Sequence, residues 1–165
     1  MRTLIFLAAL VAGASAADAQ KNSFYAERGY WLVASNGMVC RALNRPPADF
    51  NFAPYDALQI AVRSDNSIGA EVYFWPKAID PARDYVLKLT FEGPPDALSL
   101  KAKSTMGDFM LTSEPEQKLW RSFQDATGLT VGIDGEPSLT LYFGLDDMMW
   151  VLNRLQSCGS TLPKE

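Results

Sequence analysis

Tyr30-Trp31-Leu32-Val33-Ala34-Ser35-Asn36-Gly37-Met38-Val39-Cys40-Arg41-Ala42-Leu43 is the stretch whose reading decides the fold class. Two short apolar-rich runs, 30–35 and 38–43, flank Asn36-Gly37, the dipeptide most favoured in a two-residue type I′ turn because both residues tolerate positive φ. The pattern predicts an antiparallel hairpin, and the same grammar recurs along the chain. Runs 58–63 and 68–75 form a second pair around Asp65-Asn66-Ser67, with Ile60, Val62, Val72 and Phe74 supplying alternate apolar side chains. Run 85–91 alternates through Tyr85, Leu87, Leu89 and Phe91, which turns Lys88 and Thr90 to water, and pairs with 98–103 across Glu92-Gly93-Pro94-Pro95-Asp96. A short strand at 109–111 and a last pair, 129–133 and 138–143, complete the set.

Two segments carry the helical period instead. Over 114–127, Leu119, Trp120, Phe123 and Ala126 share a face. Ser113 with Glu116 reads as a capping box, Pro115 sits in the first turn, and Gly128 stands at the C′ position. The final helix spans 146–158 before Gly159, with Met148, Leu152 and Leu155 at helical spacing and Val151 close to Cys158, so Cys158 points inward. Many short strands joined as hairpins, plus two short helices, predict a mainly β fold. It is read as an antiparallel β-sandwich or, alternatively, an α+β fold with a bent antiparallel sheet.

The N-terminus has the layout of a secretory signal. Arg2 supplies a positive start, residues 4–12 are wholly apolar, and small residues follow through Ala16 and Ala19, either of which offers a cleavage point. An apolar run this short does not cross a bilayer, which needs roughly 20 residues. The expected division is therefore a leader at 1–19 and one domain at 20–165, located in the periplasm or secreted. The net charge is −4, and cleavage removes one cation and one anion and leaves it unchanged. Scattered Lys and Arg on an acidic chain argue against nucleic acid as a partner.

Cys40 and Cys158 are the chain's two cysteines. In an exported protein they most simply pair, joining the first hairpin to the last helix. A loop of that length is worth on the order of 4 to 5 kcal/mol in the chain-entropy description.

Trp31-Leu32-Val33 in a first strand soon followed by Cys40, and a terminal strand Leu139-Thr140-Leu141-Tyr142-Phe143, link Gly144-Leu145 and helix ending Leu152-Asn153-Arg154-Leu155, form a recognisable layout. It resembles the invasion-associated locus B family of bacterial envelope proteins. The resemblance covers most of the mature chain. It implies an immunoglobulin-like β-sandwich, an envelope location and no catalysis. The chain departs from the family in lacking central cysteines and in placing its second cysteine at the end of the final helix.

The chain contains no histidine, which removes the commonest general base, the usual triads and the usual soft-metal ligand sets. Asp146-Asp147 is read as acids favoured at a helix start, not as a catalytic pair. Neither Asp65-Asn66-Ser67 nor Asp134-Gly135-Glu136 extends into a calcium loop. No cofactor, metal or catalytic residue is expected. One segment invites a binding role: the proline-stiffened connection 44–56 holds Phe50, Phe52 and Tyr55, which serve either as an aromatic face for a partner or as a satellite of the core. Tyr73-Phe74-Trp75 places Phe74 in the core and its neighbours on the other face. The expected function is that of an exported, non-enzymatic protein that binds a protein or surface component. The alternative is a small hydrolase or enzyme inhibitor acting through carboxylates or a loop.

Overall fold

A computed structural model describes residues 25–44, 56–74, 79–93, 97–105 and 110–164. Residues 1–19, the expected leader, lie outside the described residues, as do Phe50, Phe52, Tyr55 and Trp75. Ten strands form one sheet: β1 (Tyr25–Arg28), β2 (Trp31–Ser35), β3 (Val39–Asn44), β4 (Ala57–Arg63), β5 (Ile68–Tyr73), β6 (Asp84–Glu92), β7 (Ala97–Thr105), β8 (Met110–Ser113), β9 (Gly128–Ile133) and β10 (Glu136–Gly144). Two helices accompany them, α1 (Lys118–Gln124) and α2 (Met148–Gly159). The strand order is β1-β2-β3-β4-β5-β8-β7-β6-β9-β10, and neighbouring strands are antiparallel throughout. The fold is mainly β, as the alternating runs predict, and the four hairpins read from the sequence supply four of the nine strand pairings.

The sheet curls back on itself. Asn44, ending β3, donates its side-chain amide to the Gly144 carbonyl at the end of β10, 3.3 Å away. Those strands stand seven places apart in the order, about 34 Å in a flat sheet at roughly 4.8 Å per strand. Nearby, the Trp31 indole donates to the Asp146 carbonyl at 2.9 Å, and Arg28 pairs with Asp147 at 2.9 Å. One continuous bent sheet therefore builds the sandwich-like arrangement.

The concave face carries the core. From one half come Trp31, Val33, Ala42, Ile60, Ala70 and Val72, and from the other Leu87, Leu89, Phe91, Leu129, Val131 and Phe143, all buried in one cluster. Residue pairs such as Val33↔Ala42, Ala42↔Ile60 and Ile60↔Ala70 put these side chains in cross-strand rows, as the period of two requires. Helix α2 lies over β2 to β4 and buries Met148, Val151, Leu152, Leu155 and Cys158. Phe123 of α1 meets Phe91 edge to face at 5.2 Å between ring centres. Cys40 and Cys158 are joined by a disulfide across a Cα separation of 6.0 Å and are both fully buried. The bond fastens α2 to β3.

Three local expectations are corrected. The Asn36-Gly37 hairpin is not a two-residue type I′ turn: Ser35 pairs with Cys40, so four residues intervene, and only Gly37 has positive φ. The Asn36 carboxamide instead accepts from the Met38 and Val39 amides. Helix α1 is shorter than 114–127 at both ends. Ser113 belongs to β8, where its hydroxyl accepts from the Ala70 amide and donates to the Glu114 carbonyl, so it is no N-cap. Gly128 opens β9 and is not a left-handed C′ residue.

Candidate functional site

Those of the residues nominated by the sequence that the structure describes do not converge on one place, and Phe50, Phe52 and Tyr55 lie outside the described residues. Cys40 and Cys158 are sealed in the core. Asp147 is held by its ion pair to Arg28, while Asp146 contributes its backbone carbonyl to Trp31, so the two adjacent acids anchor the start of α2 to β1 and β2. In Asp65-Asn66-Ser67 the Asp65 carboxylate accepts the Ser67 amide at 2.8 Å and Asn66 adopts a φ of 61°, which is turn chemistry. Phe74 is buried and Tyr73 half-buried on the opposite face.

Two polar arrangements occupy the convex face. On β3 to β5, the Arg41 guanidinium reaches across β4 and holds the Glu71 carboxylate through two bonds, 2.9 and 3.2 Å. Beside it Gln59 donates to the Tyr73 hydroxyl at 3.4 Å. Burial, with the Glu71 charge second, pushes the Tyr73 phenol above its ordinary range. These groups satisfy one another, and the arrangement reads as structural.

The second arrangement is open. Strands β6, β9 and β10 align Lys88↔Gly132↔Thr140 in one row, Thr90↔Thr130↔Tyr142 in the next and Glu92↔Gly128↔Gly144 in the third. A groove of about 300 Å³ lies over the first two rows, bounded by Gly135 and Pro137 at one end. Gly132 deepens its floor, because a Cβ there would stand 3.6 Å from the Thr140 hydroxyl. At the other end the Tyr142 side chain crosses β9 so that its hydroxyl donates to Glu92 at 2.9 Å. Gly128 makes room for this: a Cβ at that position would fall 2.5 Å from both the Glu92 carboxylate and the Tyr142 hydroxyl. The ring stays 58% exposed.

Charge at the groove is nearly cancelled. Lys88 pairs with Asp134 at 2.6 Å, and this contact holds the Asp134 carboxyl below its usual value. The hydrogen bond to Glu92, aided by burial and the Glu92 charge, raises the Tyr142 phenol above 10.0. Thr140 donates to the Pro137 carbonyl, whereas the Thr90 and Thr130 hydroxyls have no partner among the described residues. The alternation around Lys88 and Thr90 predicted only that they face water. The available signal for the groove was the pair Gly128 and Gly132, glycines inside a strand, which mark close approach or a shallow floor.

Among the described residues, no group of three or more His, Cys, Asp or Glu is placed to hold a metal, and no helix is long and apolar enough to cross a membrane. No family model matches the chain, and no curated protein matches it. Among solved structures, that of invasion associated protein B from Bartonella henselae is similar, with a TM-score of 0.58 and 15% identity, over 82% of this chain and 97% of that one. At that identity the match establishes a shared fold. It agrees with the resemblance carried by the Trp31 strand, Cys40 and the terminal strand and helix.

Proposed function

We propose that this chain is an exported, non-enzymatic envelope protein that binds a protein or a surface component. The observation that carries the reading is the buried Cys40–Cys158 disulfide, since such bonds persist in oxidising compartments and not in the cytosol. The leader-like N-terminus gives the same address, and a fold shared with a protein named as invasion associated is in keeping with it. The open groove on β6, β9 and β10 supplies a surface on which a partner could sit. Fractionation with thiol labelling tests the address: the expected result is a periplasmic or secreted form with no reactive thiol, and a cytoplasmic form with two free thiols overturns it. Affinity capture of tagged mature protein from envelope fractions tests the role. Enrichment of a component absent from a mock capture supports it, and no enrichment from any fraction overturns it.

A further inference from the structure

We infer that the groove on the convex face of β6, β9 and β10 is a saccharide-binding site, and that its ligand is a short run of neutral sugar within a surface polysaccharide. The inference rests on the surface-binding reading above and names its ligand. Three features carry it together. The first is the platform: Tyr142 is more than half exposed yet pinned, because its hydroxyl is tied to Glu92 across the gap left by Gly128. A rigid ring with a polar tip offers contact area at small entropy cost, the quality wanted for the apolar face of a pyranose. The second is the lining. Thr90 and Thr130 sit opposite each other with hydroxyls that nothing among the described residues engages, and each is both donor and acceptor, as a sugar hydroxyl is. The third is charge. The cation that lines the groove, Lys88, is neutralised by Asp134, and the carboxylate beside the ring is Glu92. An anionic ligand would meet Glu92 and find no unpaired cation in the lining, whereas Glu92 can accept from neutral hydroxyls.

Length sets the size of the ligand. From Gly132 to Thr130 along β9 is about 7 Å at roughly 3.3 Å per residue, room for one sugar ring over the groove and a second against the Tyr142 ring beyond it. A single sugar over the groove would leave the Tyr142 ring uncovered.

Titration calorimetry and NMR with maltotetraose, cellotetraose and tetra-N-acetylchitotetraose as neutral probes, and trigalacturonate as an anionic one, test the site on the whole mature protein. The same protein is sedimented with insoluble envelope polysaccharide to distinguish polymer from free oligosaccharide. Variants Tyr142→Ala, Thr130→Val and Gly132→Val remove the platform, remove a hydroxyl and fill the floor; valine suits a strand, a Cβ at 132 meets only ordinary contacts, and far-ultraviolet dichroism checks that each variant folds. The expected result is binding of a neutral probe or polymer that weakens at least tenfold in Tyr142→Ala and Gly132→Val and severalfold in Thr130→Val. No binding of any neutral probe or polymer overturns the site, as does binding that all three variants leave unchanged or a preference for trigalacturonate. If saccharides fail while envelope capture still enriches a protein, this inference falls and the broader reading stands. If both fail, both fall.

Discussion

Gly128 shows how one missing side chain organises a surface. Glu92 and Tyr142 face each other from β6 and β10 with β9 between them, and they meet only because residue 128 has no Cβ. In Gly128→Ala the methyl group displaces the ends of two flexible side chains, a modest strain that leaves the protein folded and breaks the Tyr142–Glu92 bond. The Tyr142 phenol, raised by that bond, then titrates closer to 10.0. Ultraviolet difference titration of the variant against the parent reads the change. The sign of the linkage follows: the folded value lies above the unfolded one, so the bond's stabilisation is fully present below pH about 10 and is lost as the phenol ionises in the folded state. An unchanged phenol titration in Gly128→Ala would contradict the geometry. From sequence, Gly128 after a helical run matches a C′ residue equally well, because a glycine's role depends on its φ and its neighbours in space.

At the scale of elements, local signals were overruled where the chain was already engaged elsewhere. Ser113, Pro115 and Glu116 have the spacing of a helix start, but Ser113 pairs with Ala102 in the sheet and the Glu116 amide bonds the Ile68 carbonyl, so α1 begins only at Lys118. Glu116 still serves the helix by accepting the Lys118 amide at 3.0 Å. At the other end, the Thr127 amide is taken by the Glu92 carbonyl and the chain passes straight into β9. The disulfide belongs to this scale, because it joins two elements 118 residues apart in sequence and fastens α2 to the sheet. Removing it in a Cys40→Ser, Cys158→Ser double variant is expected to cost about 4 to 5 kcal/mol, less if the open form is already compact. Urea denaturation followed by far-ultraviolet dichroism measures this. A loss below about 1 kcal/mol would mean that packing of Val151, Leu155 and their neighbours holds α2 unaided.

For the whole molecule, the absence of histidine leaves a simple expectation. The bonded cysteines do not titrate, the reference ranges of carboxylates and phenols lie outside neutral pH, and the hydrogen bonds and burial that lower Asp65 and Asp134 and raise Tyr73 and Tyr142 move those groups further from it, so stability should be nearly constant between about pH 5.5 and 8. Thermal melts across that interval test it, and a shift of more than a few degrees would reveal a group whose pKa has been moved into the window. The antiparallel, hairpin-rich class, the water-facing side of β6, the apolar face of α2 and the inward direction of Cys158 were legible in the residue pattern. These follow from periods of two and 3.6 residues, which are local. It took the arrangement in space to show that ten strands form one bent sheet, that Asn44 meets Gly144, and that Lys88, Thr90 and Thr130 line one groove with Tyr142 paired beside Thr130. Periodicity states which face a side chain takes on its own strand. Which strand lies beside it depends on how β6 and β9, 35 or more residues apart, close a long loop and bury their apolar faces together.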